Sequence, residues 1–352
     1  MTGEPSDFAA ERPAFDQIEG SARIAVLGAG SWGTALAALL AANGHSVRLW
    51  GRDIALVRSL QERRENTRYL PGIPLPEGVF PTTDLEEALE ETQVAVLAVP
   101  SSATREVAQA AAAALTSDIL LLSAAKGLED PTGLRVSQVL EEVIPNAAGR
   151  IVVLSGPNLA VEVARGIPTA GVAASRNPNA SQTVQRLFQS QPTFRVYTGR
   201  DVAGVELGGA IKNVIAIGAG VSDGQGFGDN SKAALMTRGL AEAIRLGVAQ
   251  GAQMGTFLGL SGVGDLMATG ASHLSRNYRV GYALGQGQIL PDILAQLGQV
   301  AEGVPTTRVL FDLAGRSGVE MPLCAALHSI LFEHRPAPEV IRALLLRPAR
   351  EE

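Results

Sequence analysis

The chain has 352 residues, of which 46% are hydrophobic and 18% charged, a composition that suits two soluble globular domains. A net charge of -6 without any long basic tract argues against nucleic acid as a partner, and a single cysteine, Cys324, excludes an internal disulfide framework. Cys324 lies among apolar residues and reads as a core side chain. The four scattered histidines form no metal-ligand spacing with it, so no metal site is expected.

Residues 1–20 are polar and acidic, lack the apolar core of a signal peptide, and read as a disordered tail. Apolar stretches such as 34–42 are too short to span a bilayer, so no membrane span and a cytoplasmic location are expected. From there to about residue 200, β-branched runs alternate with helical patterns. Strands are predicted at 23–27, 46–50, 94–99, 119–122, 151–154, 170–174 and 194–197. Helices are predicted between them at 31–42, 56–64, 104–115 and 134–142. Such alternation specifies an α/β fold with a doubly wound, mainly parallel sheet of Rossmann type. After residue 201 the strand signals fade, and Ala/Leu/Gly-rich helical segments follow at 205–221, 231–250, 276–284, 304–315 and 324–332. The expected division is a tail (1–20), a nucleotide-binding domain (21–204) and an all-helical substrate and catalytic domain (205–352). A cleft between the two domains is a natural small-molecule site.

The first strand runs directly into Gly28-Ala29-Gly30-Ser31-Trp32-Gly33, a GxGxxG loop that opens a small-residue helix. In that setting Gly28 permits the tight turn, Gly30 lets a pyrophosphate approach, and Gly33 lets the helix lie close to the sheet. Phosphates would rest on the free N–H groups of the helix N-terminus. The second strand decides between NAD(H) and NADP(H). By alternation the ribose-binding acid falls on Gly51, followed by Arg52 and Asp53. Arg52 suits a 2′-phosphate, which leans the reading towards NADP(H). Asp53 is either a ribose acid or a helix N-cap. Pro100 ends the third of these strands, and Ser101 is expected to cap the next helix.

Lys212 is the only charge in the fifteen residues 207–221. An ammonium in such apolar surroundings is costly, so burial and a second cation would bring its pKa towards neutrality. That makes it a proton donor and acceptor for reducing a ketone. Lys126 follows the fourth strand, and Ser155-Gly156-Pro157-Asn158 follows the fifth, both at carboxyl ends of strands, where ligands bind in such sheets. Asn158 has an amide to offer polar substrate groups. Asp265 follows a glycine pair, and Ser275-Arg276-Asn277 opens a helix with Ser275 as cap and Arg276 as a phosphate clamp. Read singly, each of these residues has a plain structural alternative: a solvated lysine, a turn, an N-cap or a surface arginine.

Their ordered co-occurrence resembles the bacterial NAD(P)-dependent sn-glycerol-3-phosphate dehydrogenase family. The motifs that carry the resemblance are GAGSWGTALA, AAKGLE, SGPNLAVEVARGIPTA, the stretch GAIKNVIAIGAGVSDGQGFGDN at 209–230, GVGDL, SRNYRVG and GQVAEG. It implies interconversion of dihydroxyacetone phosphate and sn-glycerol 3-phosphate, as a phospholipid precursor, by a homodimer. Lys212 would be the catalytic acid and base, with Lys126 and Asp265 in the catalytic set. Gly156, Asn158, Asp265, Ser275, Arg276 and Asn277 would contact substrate, together with the two lysines. Ser31, Trp32, Arg52, Lys126, Ala160, Arg276, Val300 and Glu302 would complete the cofactor site. Asn158 stands where many relatives carry a hydroxyl, Trp32 where Tyr or Phe is frequent, and Gln225 at a usually aliphatic position. Two other readings compete: a 3-hydroxyacid or 6-phosphogluconate-type dehydrogenase, which would oxidise a carboxylate substrate, and a non-catalytic NAD(P) sensor, which would not need all four charged residues.

Overall fold

A computed structural model describes residues 15 and 18–348. In chain order the first part holds β1 (Arg23–Leu27), α1 (Ser31–Ala42), β2 (Ser46–Trp50), α2 (Ile54–Arg63), β3 (Glu65–Asn66), β4 (Leu70–Pro74), β5 (Val79–Thr82), α3 (Leu85–Leu89), β6 (Val94–Leu97) and α4 (Thr104–Ala111). It continues with β7 (Leu120–Ser123), α5 (Val136–Val143), β8 (Ile151–Ser155), α6 (Ala160–Ala164), β9 (Thr169–Ala174), α7 (Pro178–Phe188) and β10 (Phe194–Gly199). Eight strands form one sheet in the order β10-β9-β8-β7-β6-β1-β2-β5, and β3 pairs with β4 as a separate hairpin. All neighbours in the large sheet run parallel except β8 and β9. The order reverses beside β1, which opens a crevice at the carboxyl ends of β1 and β6.

The strands are apolar on both faces because helices cover both. Leu36 and Leu40 of α1 pack with Val184 and Leu187 of α7 in one core, and Val107 of α4 with Leu140 of α5 in the other. The expected disordered tail needs correction at its end. Phe15 and Ile18 are 3% and 6% exposed and join the first core, so apolar burial overrides the acidic composition around them. The rest of that tail lies outside the described residues.

From residue 202 every regular element among the described residues is helical: α8 (Val202–Gly224), α9 (Asp229–Ala249), α10 (Met254–Phe257), α11 (Asp265–Gly270), α12 (Arg276–Gly285), α13 (Leu290–Leu297), α14 (Gly303–Ser317), α15 (Pro322–Phe332) and α16 (Ala337–Leu345). α8 is apolar all round and therefore central. Its length and composition would suit a membrane span, but 94% of its apolar window is buried within the protein, the mark of a core helix. Asp201 starts it by accepting the Gly204 N–H at 2.9 Å.

Glycines set the crossing of α8 and α12. A Cβ on Gly281 would overlap the Ile217 carbonyl, and one on Gly220 the Tyr278 carbonyl. Backbones therefore touch directly, and the start of α12, with Arg276, is fixed relative to Lys212 on α8. Gln225, for which the sequence offered no account, donates from Nε2 to the Gly285 carbonyl of α12.

Candidate active site

The glycine loop is built as its spacing predicts. Gly28 has φ +124°, and a Cβ there would come within 2.8 Å of the backbone at Ala98 and Val99. A Cβ on Gly33 would overlap the Gly28 carbonyl, whereas nothing lies within 4 Å of the corresponding position at Gly30. The α1 N-terminus has no side-chain cap, so its first N–H groups face an open cradle. These features fit a dinucleotide pyrophosphate. Ser31 donates to the Tyr69 carbonyl at 2.6 Å, and Trp32 donates from its indole to the Ala124 carbonyl at 3.2 Å. That bond lays the ring beside Lys126, whose Nζ is 5.9 Å from the ring centre. Gly51 ends β2, and Asp53 caps α2 by accepting the Leu56 N–H at 3.1 Å. Arg52 is exposed at the same end of the crevice.

Lys212 does not lack a partner, as the local sequence suggested. Its Nζ donates to Asp265 Oδ1 at 3.0 Å and to Thr269 Oγ1 at 2.7 Å. Asp265 Oδ2 accepts from Lys126 Nζ at 2.9 Å, and Lys126 also donates to the Gly156 carbonyl at 2.8 Å. One carboxylate thus holds two ammonium groups, one from the β7 loop and one from α8. A π-helical turn at Leu260–Gly264 delivers Asp265 to this point, and Gly264, not Asp265, is the N-cap of α11.

Lys212 and Asp265 are 8% and 2% exposed. Burial lowers the Lys212 pKa; Asp265 opposes that, Lys126 and Arg276 add to it, and the balance is about 8. Burial pushes the Asp265 carboxyl upward, but the two lysines outweigh it and hold it below its ordinary value. Asp265 is therefore ionised at neutral pH, beside an ammonium that releases its proton readily.

Several other predicted residues converge here. The Asn158 Nδ2 donates to the Ala170 carbonyl at 3.0 Å, while its Oδ1 and the Ser155 hydroxyl are buried without hydrogen-bond partners among the described residues. Buried polar atoms left free beside Gly156 fit polar substrate groups. Gly156 itself has φ +139°, with backbone at 2.9 Å from where its Cβ would stand. Ala160 opens α6, and Ser275 caps α12 by accepting the Tyr278 N–H at 3.2 Å. Arg276 is largely buried, which lowers its pKa, while Glu302 opposes that shift. The cluster of Lys126, Lys212 and Arg276 against Asp265 and Glu302 carries 3 − 2 = +1, suited to an anion.

Other placements differ from expectation. Ser101 does not cap a helix. It starts a 3-10 turn, and its N–H and hydroxyl bind the Glu302 carboxylate at 3.1 and 2.7 Å, because α14 brings that acid across the cleft. Burial raises the Glu302 pKa. A Cβ on Gly127 would press on both groups, so the contact depends on a glycine next to Lys126. Asn277 is spent internally, accepting the Gly303 N–H at 2.9 Å and donating to Asn213 Oδ1 at 2.8 Å. Val300 is 46% exposed.

Sequence reasoning missed Thr269, although it lies one helical turn after Asp265 and hence on the same face. It also missed Asn213, which donates to the Lys126 carbonyl at 2.9 Å, and Glu206. Glu206 is buried two turns before Lys212 and binds Arg135 at 2.6 Å and the Ser137 N–H at 2.7 Å, bracing α8 against α5. A cavity of about 1180 Å³ lies elsewhere, among α8, α9, α15 and α16, and none of the site residues lines it.

A dinucleotide cradle facing a buried, easily deprotonated ammonium defines the class of two-domain nicotinamide-dependent dehydrogenases. Residues 23–181 match the family model described as NAD-dependent glycerol-3-phosphate dehydrogenase N-terminus, and residues 201–342 match the corresponding C-terminus model. The chain is 49% identical over 329 residues to a glycerol-3-phosphate dehydrogenase [NAD(P)+] of Geobacillus thermodenitrificans, covering 94% of this chain and 96% of that one. It is 46% identical to the enzyme of the same name from Carboxydothermus hydrogenoformans, covering 95% and 99%. The crystal structure of glycerol-3-phosphate dehydrogenase from Coxiella burnetii superposes with a TM-score of 0.89 at 39% identity, covering 93% and 99%. The chain belongs to the NAD-dependent glycerol-3-phosphate dehydrogenase family.

Proposed function

We propose that the chain reduces dihydroxyacetone phosphate with NAD(P)H to sn-glycerol 3-phosphate, a precursor of glycerophospholipids, with Lys212 as the proton donor. The observation that carries the reading is the convergence of Lys212 and Lys126 on Asp265 beside the β1–β6 crevice. When bound, the nicotinamide supplies a hydride to the ketone carbon. Lys212 Nζ protonates the oxygen that becomes the alkoxide, and in the reverse direction neutral Lys212 takes the hydroxyl proton. Lys126 holds the substrate oxygens from the sheet side, and Asp265 keeps both ammonium groups in place. Arg276, fixed by the glycine crossing, clamps the phosphate, with Ser275 at the same helix start. Asn158 Oδ1 accepts a substrate hydroxyl. The Asn277 side chain braces Asn213 and Gly303, and its backbone N–H, in the first turn of α12, is left to meet the substrate.

The cofactor site comprises Gly28, Gly30, Ser31, Trp32, Gly33, Arg52, Lys126, Ala160, Arg276, Val300 and Glu302. The division into residues 21–204 and 205–352 is part of the proposal, with the boundary in the first turn of α8. A homodimer and a cytoplasmic location complete it, the former read by light scattering. The test is loss of reduced-nicotinamide absorbance with dihydroxyacetone phosphate, using NADH and NADPH in turn. Consumption of either supports the reading, and no consumption of either by folded protein refutes it.

A further inference from the structure

The adenosine end of the crevice holds a second basic residue besides Arg52. Its role rests on the cofactor groove proposed above and refines that site. Gly51 stands where a dinucleotide fold places its ribose acid. A Cβ there would lie 2.9 Å from the Ala29 Cβ and 3.2 Å from the Val57 Cγ2, so no carboxylate fits. The next acid is already engaged twice. Asp53 Oδ1 caps α2, and Oδ2 accepts from Arg68 Nη1 at 3.0 Å. Arg52 is exposed and has no side-chain partner among the described residues.

Arg68 is carried to this point by a segment fastened to the glycine loop. Asn66 is fully buried, and its Nδ2 donates to the Ala29 carbonyl at 3.0 Å and to Thr34 Oγ1 at 2.8 Å. Its Oδ1 accepts the Tyr69 N–H at 3.0 Å, and the Tyr69 carbonyl accepts from Ser31 at 2.6 Å. The Arg68 guanidinium lies 5.0 Å from the Tyr69 ring centre. Arg68 thus sits on the carboxylate of the residue that follows the exposed Arg52, so this end of the groove gathers two arginines and one acid. The Arg68–Asp53 pair is 56% and 42% exposed, so it is screened by water and yields easily to a dianion.

We propose that Arg68 and Arg52 together seat the 2′-phosphate of NADP(H), and that Asp53 holds Arg68 only until the phosphate displaces it, instead of binding the ribose. The forked donors of two arginines match phosphate oxygens and have nothing to bind in NAD(H) beyond a hydroxyl.

Calorimetric titration of the full chain with 2′,5′-ADP and with 5′-AMP tests this without turnover. The unmodified protein should bind 2′,5′-ADP more tightly. Arg68→Ala should weaken 2′,5′-ADP by about tenfold and leave 5′-AMP within about twofold. Asp53→Asn keeps the cap and frees Arg68, so 2′,5′-ADP should tighten with 5′-AMP unchanged. Equal affinity of the unmodified protein for both ligands, or parallel losses in Arg68→Ala, would overturn the proposal while leaving the groove intact. Loss of 5′-AMP binding in Asp53→Asn would make Asp53 the ribose ligand and overturn it too. Failure of the unmodified protein to bind either ligand would remove the groove itself.

Discussion

Replacing Lys212 by methionine removes the ammonium and keeps the length and apolar stem of the side chain. The structure separates the two costs. For catalysis, a positioned general acid contributes about 10²–10⁴-fold, or roughly 2.7–5.4 kcal/mol of barrier. For stability, breaking a buried ion pair ordinarily costs about 3–5 kcal/mol because a charge is stranded. Here Asp265 keeps Lys126 at 2.9 Å, so the local charge goes from 2 − 1 = +1 to 1 − 1 = 0. The burial that strains the Lys212 ammonium is relieved at the same time. The variant should therefore melt within a few degrees of the parent, yet its kcat for dihydroxyacetone phosphate should fall at least about a hundredfold. In the parent, reduction requires the protonated amine, so the rate should fall as pH rises through about 8. That limb should vanish in the variant. Stopped-flow absorbance across pH 6–10, with a thermal melt on each sample, reads all three. A folded variant turning over within about threefold of the parent would refute the assignment of the proton to Lys212.

Asp265→Asn removes the carboxylate that most opposes the lowering of the Lys212 pKa, so the falling limb of the reduction profile should move to lower pH. The folded Asp265 pKa is depressed, so its stabilisation is full above the ordinary carboxylate range and lost as pH falls through the folded value; a urea series at acid pH should show this dependence weakened in the same variant. Gly281→Ala forces a methyl group onto the Ile217 backbone and should cost about 1–3 kcal/mol in urea unfolding. Because the crossing sets Arg276, KM for dihydroxyacetone phosphate should rise more than kcat falls. Glu206→Ala leaves the Ser137 N–H and Arg135 without their buried acceptor and should cost about 3–5 kcal/mol by the same measurement.

Strands with dense β-branched runs were legible: β1 and β2 occupy the predicted residues. β5 was not, since Pro81 interrupts its run; an edge strand tolerates the missing N–H. The β3–β4 hairpin escaped for a related reason. Its strands are short and irregular in register, β4 carries two prolines, and together they bring Asn66 and Arg68 to the glycine loop. Helices α13 and α16 were overlooked as well, although each begins with proline in its first turn, a start signal that local reading can use.

At the site, each charged residue was visible through its setting: a lone lysine in an apolar run, a lysine at a strand end, an acid after glycines. Their mutual geometry was not. Lys126 and Asp265 are 139 residues apart, and Lys212 and Asp265 are 53 apart. Spacing rules report neighbours on one element, and this pairing is made by the fold. Ser101 illustrates the same limit. Its position suggested a local cap, and a carboxylate 201 residues away claimed it instead.

The doubly bonded Asp265 also ties the two halves together. Its carboxylate grips one cation from the sheet and one from its own helical half. Widening the crevice to admit or expel a ligand must pull opposite charges apart where little water screens them, and attraction there decays slowly with distance.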